Sequence, residues 1–145
     1  MDASSADWVK AYQKAAATDK WTEIIMRAIT KKVAKQWRIV TFRGRNAGEW
    51  QGIVDALAIR KDTSRPNKDH LKRGDLFGIM VIQMKGGSAK FPTMNEKRRL
   101  KAVSKYYKAK NVLLFEWKNG KKTQFYVLNN NLEWIEKKVS ELFGI

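Results

Sequence analysis

Two apolar stretches of this chain are interrupted by residues that an ordinary buried strand does not contain. Gly52-Ile53-Val54-Asp55-Ala56-Leu57-Ala58-Ile59 holds one carboxylate, Asp55. Leu76-Phe77-Gly78-Ile79-Met80-Val81-Ile82-Gln83-Met84-Lys85 ends in an amide and an ammonium. A lone charge inside a sheet is costly unless a partner or a bound cation neutralises it. Residues i and i+2 of a strand project from one face, so Gln83 and Lys85 point together. If the two runs pair as neighbouring strands, an acid, an amide oxygen and an ammonium share one cleft. Oxygen donors of that kind suit a hard divalent cation, and a lysine beside it can hold or activate a water against a phosphodiester.

Such residues need elements to position them. Trp8, Val9, Tyr12 and Ala15 recur at helical spacing, and Trp21, Ile24, Ile25, Ala28, Ile29 and Val33 predict a second helix, with Glu23 in its first turn. Residues 37–42 are β-branched and aromatic and read as a strand, followed by a glycine-punctuated turn over 43–48. The two interrupted runs supply the next two strands, joined by a charged loop over 61–75. Gly86-Gly87 ends the second, and Pro92 opens a helix over 93–109 with Leu100, Val103 and Tyr107 on one face. Residues 111–117 and 123–128 form a hairpin across Asn119-Gly120, and Ile135, Val139 and Leu142 predict a final helix over 132–143. The expected order is α-α-β-β-β-α-β-β-α. It describes one α/β domain over 1–145 with a central mixed sheet flanked by helices. Residues 1–19 are an N-terminal helical extension, 20–128 the core and 129–145 a C-terminal helix.

Composition narrows the partners. The 145 residues carry 30 Lys+Arg against 14 Asp+Glu, a net charge of +16, which favours polyanions through counterion release. Arg43 and Arg45 belong to one basic segment. Lys97, Lys101, Lys105 and Lys108 belong to another, at a spacing that suits one helix face tracking a phosphate backbone. No apolar run approaches the roughly 20 residues that span a bilayer, and Met1 to Ser5 lacks the basic start of a secretory signal. Without cysteine there is no thiolate metal site, and with His70 as the single histidine a multi-histidine zinc site is excluded. The expectation is a soluble, cytoplasmic protein with a nucleic-acid partner and no membrane role.

The order of elements and the residues "TEII", "GIVDALAI" and "VIQMKGG" resemble the PD-(D/E)xK nuclease superfamily over roughly residues 20 to 128. The glutamine form is similar to Mrr-type restriction endonucleases, and the compact size to archaeal Holliday-junction resolvases. The resemblance implies a restriction-endonuclease-like fold and Mg²⁺-dependent cleavage of DNA, with Mn²⁺ as a substitute. Asp55 and Gln83 would bind the metal with the backbone carbonyl of Met84, and Lys85 would orient or activate the attacking water. Glu23 would reach the metal directly or through a water, with Glu49 as its competitor for that role. Cutting both strands takes two sites, so a symmetric homodimer is the expected assembly. Plainer roles stay open: Asp55 as a turn cap, Lys85 as an edge-strand charge, Glu23 as an acid favoured by the helix dipole. On that account the chain is a non-catalytic, basic nucleic-acid-binding protein. Trp50 is a candidate for stacking on a base, and His70 a surface or phosphate-contacting residue.

Overall fold

A strand covered on both faces has no need of polar alternation. The strand at residues 111–117 shows this most clearly, with an unbroken buried stretch from Val112 to Glu116. It lies inside a six-stranded sheet in the computed structural model, which describes residues 22–28, 30–31, 36–42, 52–64, 69–86, 90–117 and 123–144. The described elements are α1 (residues 22–28 with 30–31), β1 (Arg38–Thr41), β2 (Ala56–Lys61), β3 (Phe77–Gly86), α2 (Met94–Tyr106), β4 (Asn111–Trp117), β5 (Gln124–Leu128), β6 (Trp134–Lys137) and α3 (Val139–Phe143).

Spatial order follows chain order, β1-β2-β3-β4-β5-β6. All neighbours are antiparallel except β3 and β4, which run parallel because α2 carries the chain back between them. Period-two alternation then sorts the side chains. Ala56, Met80, Ile82, Leu113 and Phe115 face Met26 of α1 and Phe143 of α3. Val81, Val112 and Leu128 face Leu100 of α2. The chain is thus a single α/β domain with helices on both faces of a mixed sheet. Among the described residues, no helix is long and apolar enough to cross a membrane.

The expected elements need two corrections. Residues 134–137 are a strand, not the start of a helix, and only Val139–Phe143 is helical. Asn129 explains the difference, since its Oδ1 accepts from the amides of Asn131 and Glu133, both at 2.9 Å. Leu132 then takes a left-handed φ of 62°, and the chain folds back as a hairpin that pairs β6 with β5. In so short a segment, the helical spacing of Ile135 and Val139 came from two different elements. The second correction concerns Asp55, which lies just before β2 and not within it. The N-terminal extension at 1–19 and the turn at Asn119-Gly120 lie outside the described residues.

The ring of Phe115 is fully buried and stands 4.9 Å from that of Phe125. Phe115→Ala removes the centre of this packing, and urea unfolding should show a loss of about 3–5 kcal/mol. A loss under about 1 kcal/mol would mean that this layer is not the core.

Candidate active site at the ends of strands 2 and 3

β2 begins at Ala56, opposite Ile82, and the residue before it closes the strand end. The Asp55 amide donates to the Ile82 carbonyl at 2.9 Å, and its carbonyl accepts from the Phe42 amide at 3.1 Å. Its carboxylate Oδ2 accepts from the Met84 N–H at 2.8 Å. A side chain thus takes up a backbone donor that β2 no longer reaches, and the acid is anchored between Gln83 and Lys85 in sequence.

Gln83 is only 4% exposed, and its Oε1 is a buried acceptor with no hydrogen-bond partner among the described residues. An unsatisfied buried acceptor costs about 1–3 kcal/mol, so its presence at a strand end calls for an explanation. Its Nε2 donates to Glu96 Oε2 at 3.4 Å. Lys85 Nζ stands 3.8 Å from the same oxygen. Glu96 therefore joins the two residues that strand geometry had placed on one face.

Glu96 reaches this position as the third residue of α2. The Thr93 hydroxyl accepts from the Glu96 amide, and Glu96 Oε1 accepts from the Thr93 amide, both at 3.2 Å. This is a reciprocal capping box. One carboxylate oxygen serves the helix end and the other serves the site. The Thr93 amide holds the Glu96 carboxyl below its ordinary value of 4.5. Partial burial opposes that effect, while Lys85 and Gln83 add to it.

β4 contributes a further acid. Glu116 is buried and lies in register beside Lys85 on the same face of the sheet. Gln124 follows it across β5, and its Oε1 accepts from the Tyr126 hydroxyl. Burial pushes the Tyr126 hydroxyl up, and the charges of Glu116 and Glu136 push it further.

Glu23 occupies the other face. Its Oε1 accepts from the Thr41 hydroxyl at 2.9 Å and from Arg27 Nε at 3.3 Å. Thr41 pairs with Ala56, whose side chain packs toward α1, whereas Gln83 and Lys85 face α2. The structure thus brings Gln83, Lys85 and Glu96 together beside Asp55 and sets Glu23 across the sheet. Glu49, Trp50, Arg43 and Arg45 lie outside the described residues. His70 is exposed in the loop before β3. Lys97, Lys101 and Lys105 lie on α2, with Lys108 just past its end.

Among the described residues, no three carboxylate or imidazole groups gather as a metal cluster. The donors present are the Asp55 carboxylate, the Gln83 amide oxygen and the Met84 carbonyl. They fit a hard cation as a set of low charge that a phosphate oxygen would complete. Two residues at the site had readable signals that the motif pattern passed over. Glu96 sits in Thr-x-x-Glu before a helix, a capping signature. Glu116 interrupts Val112-Leu113-Leu114-Phe115 just as Asp55 interrupts its own run.

Among solved structures, Hjc, a Holliday junction resolvase from the archaeal hyperthermophile Archaeoglobus fulgidus, is similar at 11% sequence identity and a TM-score of 0.44. The match covers 85% of this chain and 92% of that one. No protein-family model matches the chain, nor does a curated protein. At that distance the likeness carries no functional weight.

Glu96→Gln keeps a side chain able to cap α2 but removes the charge beside Lys85. At pH 7 it should cost about 0.5–1 kcal/mol. The folded carboxyl is held below 4.5, so its contribution is present above that pH and is lost as pH falls through the depressed value. Denaturant melts of the two proteins should therefore converge below pH 4.5. A gap that stays constant through the acid range would assign the loss to packing instead.

Proposed function

We propose that this chain is a metal-dependent endonuclease that hydrolyses DNA phosphodiester bonds, with Asp55, Gln83 and Lys85 as its reacting set. The observation that carries the reading is the bare, buried Oε1 of Gln83 beside Lys85 and the anchored Asp55. Asp55, Gln83 Oε1 and the Met84 carbonyl would hold Mg²⁺ or Mn²⁺. A bound divalent ion polarises a phosphoryl oxygen and lowers the pKa of a coordinated water.

Lys85 lies where its ammonium can orient the attacking water and stabilise charge developing on the phosphate. Glu96 is a positioning residue in this scheme, because it fixes the Gln83 amide and steers Lys85 through a single oxygen. Glu23 acts as a support, tying Arg27 and Thr41 so that α1 stays on β1, the strand beside β2. The +16 charge supplies the sequence-independent attraction to DNA. The resemblance of "GIVDALAI" and "VIQMKGG" to the PD-(D/E)xK pattern supports the same reading. In it, a homodimer presents one such site to each strand.

Incubation with plasmid, nicked, branched and single-stranded DNA tests the proposal. Cleavage should require Mg²⁺ or Mn²⁺ and stop with a chelator. Asp55→Ala and Lys85→Ala should each lower it on the order of 10²–10³-fold while DNA binding persists. Binding without metal-dependent cleavage in the wild type, or full cleavage by Lys85→Ala, would leave a nucleic-acid-binding protein.

A further inference from the structure

The far end of α2 holds a feature that the reaction site does not use. A groove of about 710 Å³ lies between the C-terminal half of α2 and the adjoining ends of β4 and β5. Lys101, Lys105, Lys108 and Lys110 line it above a floor that includes Val112 and Leu128, and no carboxylate is among its walls in the described residues. None of the four ammonium groups has an acidic partner among the described residues. Four like charges around one hollow repel each other unless an anion sits between them. The asparagine amides of Asn129 and Asn130 on the facing rim add neutral donors suited to the same kind of ligand.

Lys108 adds an independent observation. It follows the cap residue Tyr107 with a left-handed φ of 53°. That position after a helix is where glycine is ordinarily preferred, because a Cβ there meets the backbone. A lysine in its place strains the chain and sets a cation on the groove. The Ala109 amide donates to the Ser104 carbonyl at 2.8 Å across this turn, so the end of α2 itself brings Lys108 beside Lys105 and Lys110 on the groove.

Distance then selects the occupant. Lys85 pairs with Glu116 at the reaction end of the sheet, and Met80 pairs with Asn111 at the groove end. At about 3.3 Å per residue these ends are roughly 17 Å apart. α2 spans the interval with Lys97 and Lys101 along it. A single small anion would not fill 710 Å³, whereas a polyphosphate backbone fits both the groove and the spacing. We propose that this groove grips the backbone of duplex DNA roughly 5 base pairs from the reaction site, at about 3.4 Å per base pair. The inference rests on the DNA reading above and adds a second anchoring point to it.

A salt titration of binding to a 24-base-pair duplex, measured by fluorescence anisotropy without metal, tests the groove separately from cleavage. The variant Lys105→Ala/Lys108→Ala/Lys110→Ala should lower the slope of log K against log salt by about 0.9 per lysine engaged, hence by about 2–3. Lys61→Ala/Lys72→Ala/Lys138→Ala removes the same charge from exposed positions elsewhere and should leave the slope unchanged. Lys108→Gly should weaken binding without lowering the Tm. Equal shifts in both triple variants, or no shift in the first, would overturn the groove while leaving the reaction site standing. Polyglutamate bound by the wild type but not by the groove variant, with the duplex bound equally by both, would assign the groove to an acidic protein and also overturn it. A wild type that binds but never cuts would refute the nuclease reading and leave the groove intact. A wild type that does not bind DNA would end both.

Discussion

One hydrogen bond sets the geometry of the site: the Met84 amide donating to Asp55 Oδ2 at 2.8 Å. β3 runs to Gly86, past the point where β2 begins, and its amide there needs an acceptor. By supplying one from a side chain, Asp55 ties a carboxylate to the middle of Gln83-Met84-Lys85. The alternation of the strand then aims Gln83 and Lys85 at one face while their shared neighbour holds the acid. The Asp55 amide, donating to the Ile82 carbonyl at 2.9 Å, holds the same residue to β3 from its backbone side.

Charge balance around this junction is uneven. Glu96 shares one oxygen between the Gln83 amide and the Lys85 ammonium and commits the other to the cap of α2. The helix start and the site are consequently one structural unit, and moving one moves the other. The carbonyl oxygen of Gln83 is left over, buried and without a partner among the described residues. It is neutral where a carboxylate would have been charged. On the proposed reading, such a site would hold a hard cation weakly, being short of the negative charge to bind it tightly alone. A phosphate oxygen would then supply what is missing, so that substrate and metal would complete each other.

The sheet was largely legible from the chain. β3 and β4 read correctly because long apolar runs with β-branched residues have no competing helical period. The tail misled because a four-residue strand and a five-residue helix are each too short to establish a period of their own. Asp55 and the Gln83–Lys85 pair stood out as polar breaks in apolar runs. What remained hidden was which face each element presents. Glu23 on α1 was expected at the metal, but α1 packs against the face of Ala56 and Ile82, across from Gln83. Glu96 and Glu116 come from elements distant in sequence, and only strand register and the α2 cap bring them to Lys85.

On the proposed reading Gln83 leaves the site one charge short, so that metal and DNA bind together. Titration calorimetry of Mg²⁺ into the cleavage-dead Lys85→Ala protein, alone and with bound duplex, tests it most directly. DNA should raise Mg²⁺ affinity by the same factor that Mg²⁺ raises DNA affinity, since the coupling is reciprocal. Gln83→Glu should tighten Mg²⁺ binding in the absence of DNA. Equal Mg²⁺ affinity with and without duplex, and no gain in Gln83→Glu, would contradict it.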